Sequence, residues 1–448
     1  MLRDKQFYTR LSAIALPIVL QNLLTSSLSF LDTLMIGQIG SVQIAAVGVA
    51  NQIFFLVNLF IFGIASGASI FFAQYYGAKE YKELERVMGL GFTVSIIGSF
   101  LWAIVSLLFP EAIMHIFTDD PLAISCGAEY QRIVAVSYIF FAITMIHGFA
   151  YRSIGKANLP LKASFISLCT NAVGNYLLIF GIGPFPELGV AGAAIATLFS
   201  RFLEMVIMLY WVYKKKAPFR IQSKNAFIWK SEFIKLYLKT SLPVLCNEML
   251  WALGMTAYKV AYSSLGIDML AAVNVTESIA NFFFVAVMGI GNATTIVLGH
   301  TIGAGDRDKA KLYASRTLKL SFLIGIVMGT LMALFAQFFA SWFNITDSVK
   351  HIAVLCLLVT ACLQPFKSLN MVLFVGVLRS GGDTRYALLG ETSCVWLVGV
   401  PMSFLGATLL HLPLYIVYIM VGLEELCKLA IALPRYKSGK WIKILTKG

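Results

Sequence analysis

Charge is scarce in this sequence. Only 13% of its 448 residues are Asp, Glu, Lys or Arg, against roughly 25% in a soluble domain. Hydrophobic residues make up 59%, and the mean hydropathy is +0.81. A soluble fold of this length cannot hide that much apolar surface, so the globular classes are excluded. Cysteine offers no alternative framework. Cys126, Cys169, Cys246, Cys356, Cys362, Cys394 and Cys427 lie mostly in apolar runs, without a CxxC or a Cys/His metal spacing. They read as small buried hydrophobes. The sequence has no P-loop, GxSxG or HExxH, and no Ser or His stands in a triad setting. Neither direct ATP coupling nor hydrolytic chemistry is expected, and the chain is read as a non-enzyme without a cofactor.

What is present is a series of long apolar runs. About 20 such residues cross a bilayer as a helix, and a helix satisfies its own backbone there. A transmembrane β-barrel would show short alternating stretches instead. Candidate spans cover 11–36, 44–71, 88–110, 127–150, 159–180, 189–212, 236–262, 270–298, 314–343, 351–377, 386–406 and 410–434. Gly and Asn interrupt spans two and eight, and the turn within 36–48 is placed by its glycines alone. The basic start (Arg3, Lys5, Arg10) leads into a run too long for a signal-peptide core, so it is read as the first span.

Lys and Arg prefer cytoplasmic loops, which gives a test independent of hydropathy. They cluster before span one, at Lys79, Lys82 and Arg86, and at Arg152, Lys156 and Lys162. Further clusters are the crossover from Lys214 to Lys239, the group from Arg307 to Lys319, and Arg379 with Arg385. The tail adds Lys428, Arg435, Lys437, Lys440, Lys443 and Lys447. These are alternate loops. Of 35 basic residues only Arg132, Arg201, Lys259, Lys350 and Lys367 fall elsewhere. Twelve spans with both termini in the cytoplasm fit this alternation, in a multi-pass protein of the plasma membrane. The net charge of +13 therefore follows topology, and no nucleic-acid partner is expected. The crossover "KKKAPFRIQSKNAFIWKSEF" mixes aromatics with cations. It reads as a solvated linker or as a segment lying on anionic lipid headgroups.

The two halves match at one offset. "LPIVLQN" from Leu16 and "LPVLCNE" from Leu242 are 226 apart, as are "AVGVA" from Ala46 and "AVNVT" from Ala272. Gly77-Ala78 and Gly303-Ala304 repeat that offset, and Arg152-Ser153 matches Arg379-Ser380 at 227. The expected organisation is an amino-terminal lobe over 1–213, a crossover over 214–235 and a carboxyl-terminal lobe over 236–448. Each lobe holds six spans, so the repeats run parallel. Transporters built this way place substrate between halves and alternate their access. A channel would need a selectivity ring, and none is visible.

An ionisable group within lipid is costly and usually faces a cavity or a partner. Those within the spans are Asp32, Arg201, Glu204, Glu248, Lys259, Glu277, Lys367 and Glu391. Asp32 can carry a proton or, when ionised, accept a cation such as sodium. The alternative is a structural hydrogen-bond acceptor. Pro17 upstream can bend its helix. Glu248 stands where the first repeat has Asn22, an asymmetry that suggests a substrate or ion role. Arg201 and Glu204, at i and i+3, read first as a neutralising pair. Asn171 and Asn175 share a helical face and, with Thr197, can extend a network around Asp32 or pack helices together. Small residues in "GVAGAAIAT" from Gly189 allow close helix approach. Lys367 needs an acid partner that the sequence does not assign.

These residues carry a resemblance. "LPIVLQNLLTSSLSFLDTLMIG", "GIASGASIFFAQYYGAK", "NYLLIFG", "GVAGAAIAT", "MGIGNATTIVLGHTIGAGD" and "VLRSGGDTRYALL" resemble the multidrug and toxic compound extrusion (MATE) family of efflux transporters over nearly the whole chain. The resemblance implies an all-α polytopic membrane protein, with 12 helices in two six-helix pseudo-symmetric lobes forming a V. It implies export of cationic or amphipathic organic compounds, driven by protons or sodium ions; a monomer is expected. Asp32 matches the first-helix acid, Asn171 a fifth-helix asparagine and Thr197 a polar residue of that site. Asn175 falls where many relatives have an aspartate, so the site has one carboxylate fewer. Glu248 resembles a seventh-helix glutamate but lies nearer its proline. Span ten has no acid where one subgroup binds its cation. Two other functions remain open. A flippase for lipid-linked glycans would need a basic cavity, for which only Arg201, Lys259 and Lys367 are candidates. A non-transporting scaffold or receptor would leave the duplication unexplained.

Overall fold

The computed structural model describes residues 5–343 and 345–447. Arg3, counted in the basic start, lies outside them. Among the described residues are twelve long helices, one at each expected span. They are α1 (Lys5–Gly37), α2 (Ser41–Gly77), α3 (Tyr81–Leu108), α4 (Pro121–Ser153), α5 (Asn158–Phe180) and α6 (Gly189–Lys214). The second half adds α7 (Ser231–Ser263), α8 (Ile267–Gly303) and α9 (Arg307–Ala340). It ends with α10 (Asp347–Leu378), α11 (Thr384–Leu409) and α12 (Leu414–Lys437). Ten of them are long and apolar enough to cross a membrane. The other two, α7 and α12, carry Asn247 with Glu248, and Glu424 and Glu425 with Lys428, inside their apolar stretches. These groups lower the apolar character and, as shown below, find partners within the protein.

Local chemistry sets several helix ends. The Asp120 carboxylate accepts from the Leu122 N–H at the start of α4, with Pro121 in the first turn. Asp306 caps α9 through the Lys309 N–H at 3.0 Å. Gly181, at φ 65°, ends α5 in the left-handed conformation, where a side chain would be strained. Three stretches, Val372–Leu378, Val395–Gly399 and Leu405–Leu409, widen into π-helical turns. Wider turns leave carbonyls for other donors, and Thr295 Oγ1 takes that of Val375 at 2.8 Å.

The chain divides into two compact units. One comprises Leu20–Phe72 and Glu80–Leu245; the other runs from the chain start to Val19 and adds Ala73–Lys79 and everything from Cys246 onward. The change of unit falls inside α1 just after Pro17 and inside α7 just after Pro243, at repeat-equivalent positions. The first unit packs Val57, Ile61, Tyr138, Ala142 and Ala194 in its core. The second packs Tyr258, Ala272, Cys356, Leu357 and Val417. Of the cysteines only Cys356 and Cys394 are buried, whereas Cys169 and Cys362 are exposed. The expectation that all are buried is corrected: in a membrane protein an apolar run also has an outer face for lipid.

The small-residue run does bring helices close. Gly174 faces Ala196, and Gly192 lies against the Leu178 carbonyl, joining α5 to α6. The repeat mates Gly77 and Gly303 do the same for α2 and α8. A Cβ on Gly77 would strike the His300 backbone, and one on Gly303 the Gln74 carbonyl. Gly303→Ala is therefore expected to cost about 1–3 kcal/mol by overpacking, read as a lower melting temperature in detergent. An unchanged melting temperature would mean that the helices separate freely here.

The crossover is neither a free linker nor wholly a surface segment. Phe219 is fully buried against Phe72, His147 and Tyr151. Glu85 accepts from the N–H groups of Gln222 and Ser223 at 2.7 and 2.8 Å. Lys214–Lys216, Gln222–Lys224 and Phe227 with Ile228 stay exposed.

Candidate functional site

Asp32 lies in α1 beyond Pro17, partly buried. Its Oδ1 accepts from Asn175 Nδ2 at 2.6 Å. Asn171 stands one turn earlier in α5, so both amides project from one face. With its nitrogen turned to Asp32, Asn171 donates to Oδ1 at 3.0 Å and accepts from Thr197 Oγ1 at 3.3 Å. That orientation gives both of its amide groups a partner. The structure thus brings Asp32, Asn171, Asn175 and Thr197 together.

Arg201 completes the electrostatics. It stands within electrostatic reach of Asp32, but its guanidinium is held elsewhere. It donates to Ser137 Oγ at 2.8 Å and lies 3.9 Å from the centre of the Phe54 ring. Arg201 and Glu204, expected as a neutralising pair, act on each other electrostatically, but the direct hydrogen bonds of each go elsewhere. Glu204 instead accepts from Ser164 Oγ at 2.7 Å. Gln21 donates to Ser164 at 2.7 Å and accepts from Arg152 at 2.7 Å. A hydrogen-bonded chain therefore runs from Arg152 to Glu204. Helical spacing puts two residues on one face, but the phenyl ring and the hydroxyls choose where each side chain goes.

Glu248 belongs to the other unit, where Arg379 Nη1 bridges its Oε1 at 2.7 Å. Arg379 is the repeat mate of Arg152, and both reach back to the residues after a helix proline. The remaining ionisable groups also find partners. Lys259 bridges Glu277 at 2.9 Å, Asn247 donates to Glu391 Oε2 at 2.9 Å, and Lys367 stands within electrostatic reach of Glu425. Three buried or nearly buried groups were missed: Glu424, Glu425 and Lys428. Lys428 had been counted with the cytoplasmic tail, but it sits inside α12. The signal was available as "EELCK" within an apolar run, whose i, i+3 and i, i+4 spacing pairs the charges along one helix face.

The first site can act on a cation or a proton. Its one carboxylate is held by neutral amide donors, and the nearest guanidinium is turned aside. Removing the donor by Asn175→Ala deprives Asp32 of a bond to a charged acceptor, worth about 1.5–3 kcal/mol. The expected result is a shift of about tenfold or more in the driving-ion concentration for half-maximal transport. An unchanged dependence would show that Asn175 only packs α5.

The MatE family model matches residues 17–177 and again 243–405, so both matches begin at the repeat-equivalent prolines. The "Uncharacterized transporter YisQ" of Bacillus subtilis (strain 168) is 26% identical over 447 residues, covering 98% of this chain and 96% of that one. The "Probable multidrug resistance protein NorM" of Thermotoga maritima is 24% identical over 442 residues, covering 97% and 93%. Among solved structures, the Vibrio cholerae MATE transporter VcmN in its bent form superposes with a TM-score of 0.89. It is 18% identical, and the match covers 99% of this chain and 100% of that one. The family match, with the fold, makes this a polytopic membrane transporter and not an enzyme. The chain belongs to the MatE family.

Proposed function

We propose that this protein is a cation-coupled antiporter that exports cationic or amphipathic organic compounds across the plasma membrane by alternating access. The observation that carries this reading is a single carboxylate, Asp32, held by Asn175 and Asn171 inside a membrane helix bundle. Asp32 binds the coupling ion, proton or sodium, with Asn171, Asn175 and Thr197 as its surround. Ion binding changes the affinity for the exported compound, which is linkage between two ligands. The ion moves the equilibrium by as much as its affinity differs between the two states. The six helices on either side of the 214–235 crossover act as the two lobes, in a monomer with both termini in the cytoplasm. Relatives named as multidrug resistance proteins support the substrate class.

The flippase reading loses support from charge placement. Arg201 is taken up by Ser137 and Phe54 and Lys259 by Glu277, while Lys367 stands within electrostatic reach of Glu425. Two of the three candidates thus already hold direct partners. The test is reconstitution in liposomes under a proton or a sodium gradient imposed separately, reading movement of a fluorescent organic cation. Movement under one gradient alone names the ion. Movement that ignores both gradients refutes coupling.

A further inference from the structure

The crossover between the two repeats is held against α3, and every residue of this contact belongs to one unit. Glu85 holds the N–H groups of Gln222 and Ser223. Ala226 is buried, and a Cβ on Gly89 would strike its carbonyl. Trp229 Nε1 donates to the Arg86 carbonyl at 3.3 Å. The charged residues of α3 end at Arg86, and its apolar run begins at Val87. The stretch 226–229 is thus pinned level with the change from charged to apolar along α3. At that level Phe227 is 46% and Ile228 64% exposed. The Phe227 ring lies 6.2 Å from that of Trp229.

Cations flank this apolar pair along the chain. Between 214 and 239 the sequence has eight Lys and Arg against one acid, Glu232. Lys216, Lys224 and Lys230 are exposed, and among the described residues no carboxylate bridges them. The acids at the start of α3 are already engaged, Glu83 with Arg86 at 2.7 Å and Glu85 with the two N–H groups. The last turns of α6 bring Tyr210, Trp211 and Tyr213 directly before Lys214, the pattern of an aromatic belt at a membrane surface. Apolar side chains at the boundary, with Lys224 and Lys230 on either side, match the two layers of an anionic leaflet, acyl chains and then phosphates. A soluble acidic protein or a nucleic acid would meet the lysines but leave Phe227 and Ile228 in water.

We propose that the crossover is an interfacial anchor selective for anionic phospholipid: Phe227 and Ile228 enter the acyl boundary of the adjoining leaflet, and Lys216, Lys224 and Lys230 hold headgroup phosphates. The full-length protein is reconstituted in phosphatidylcholine bilayers that contain brominated phosphatidylglycerol or, in equal amount, brominated phosphatidylcholine. Bromine quenches tryptophan only at close range, and the share of Trp229 is the difference from Trp229→Phe. Phosphatidylglycerol is expected to be preferred about fivefold at Trp229, the worth of one lysine at an anionic surface. The preference should shrink as salt rises. Lys216→Gln, Lys224→Gln and Lys230→Gln combined should bring the two lipids to parity. Lys214, Lys215, Arg220, Lys235 and Lys239 remain, so the spans keep their orientation. Phe227→Ser with Ile228→Ser should weaken quenching by both lipids. These substituted side chains are exposed, so an unchanged melting temperature in detergent separates lost lipid contact from lost folding. Equal quenching by the two lipids in the unaltered protein overturns the proposal, as does a preference that survives the triple change. Quenching unchanged by the two serines overturns it as well. So does a preference that inorganic phosphate abolishes at constant ionic strength, which would make this a site for soluble anions. None of these measurements involves transport, so their outcome stands apart from the antiport reading.

Discussion

Asp32→Asn is expected to cut gradient-driven export by roughly 5- to 150-fold, the span of a coupling energy of 1–3 kcal/mol. The amide has almost the shape of the acid, so Asn175 and Asn171 still have a partner and the local packing survives. What disappears is the charge that an ion can neutralise. Without it the two access states no longer differ in ion affinity, and the gradient has nothing to act on. Uptake of the organic cation in liposomes measures the loss, and unchanged protein melting shows that folding is not its cause. Asp32→Glu restores a carboxylate and should recover part of the activity. Full gradient-driven export by Asp32→Asn would place the coupling elsewhere.

Arg379→Ala is expected to be the most destabilising single change, at about 3–5 kcal/mol, because it leaves the Glu248 carboxylate unpaired in a largely buried place. The side chains of Arg379 and Glu248 are only 4% and 17% exposed, and their atoms meet at 2.7 Å. The pair itself need not add much stability, since desolvation offsets most of the attraction. The loss comes from breaking one side. The double change Arg379→Ala with Glu248→Gln removes the stranded charge and should recover most of the loss. Thermal aggregation in detergent separates the two cases. A Glu248 that bound exported compound would behave differently, with Arg379→Ala changing substrate affinity and leaving the melting temperature alone.

The helices were legible because lipid demands one thing of a sequence, a long apolar run, and twelve such runs stand between polar turns. The grouping of Asn171 and Asn175 followed from their spacing, since residues four apart share a face. The rest was hidden for physical reasons. Glu248 and Arg379 meet although they stand 131 positions apart, and no local pattern joins them. Arg201 was drawn to the ring of Phe54, which lies far away in sequence. Lys428 was misplaced because a lysine near the end of an apolar run looks like a cytoplasmic anchor. Only the acids on the same turn reveal that it is enclosed. Charges that pair inside a helix bundle weaken the hydropathy signal of the helices that carry them, and α7 and α12 are the two helices that fall short.

The partition of α1 just after Pro17 has a consequence for how the molecule is made. The segment before Leu20 is made well ahead of its partners, yet it packs in the unit built mostly from Cys246 onward. Arg10 donates to His300, 290 residues later, and Phe7 packs on Tyr313. At about 5–20 residues per second, Arg10 waits about 15–60 s for its partner to be synthesised. The bilayer or the insertion machinery must shelter that segment meanwhile. Phe7 and Arg10 are therefore translated long before they settle, and a fault in them would surface as misassembly of the unit built mostly from Cys246 onward.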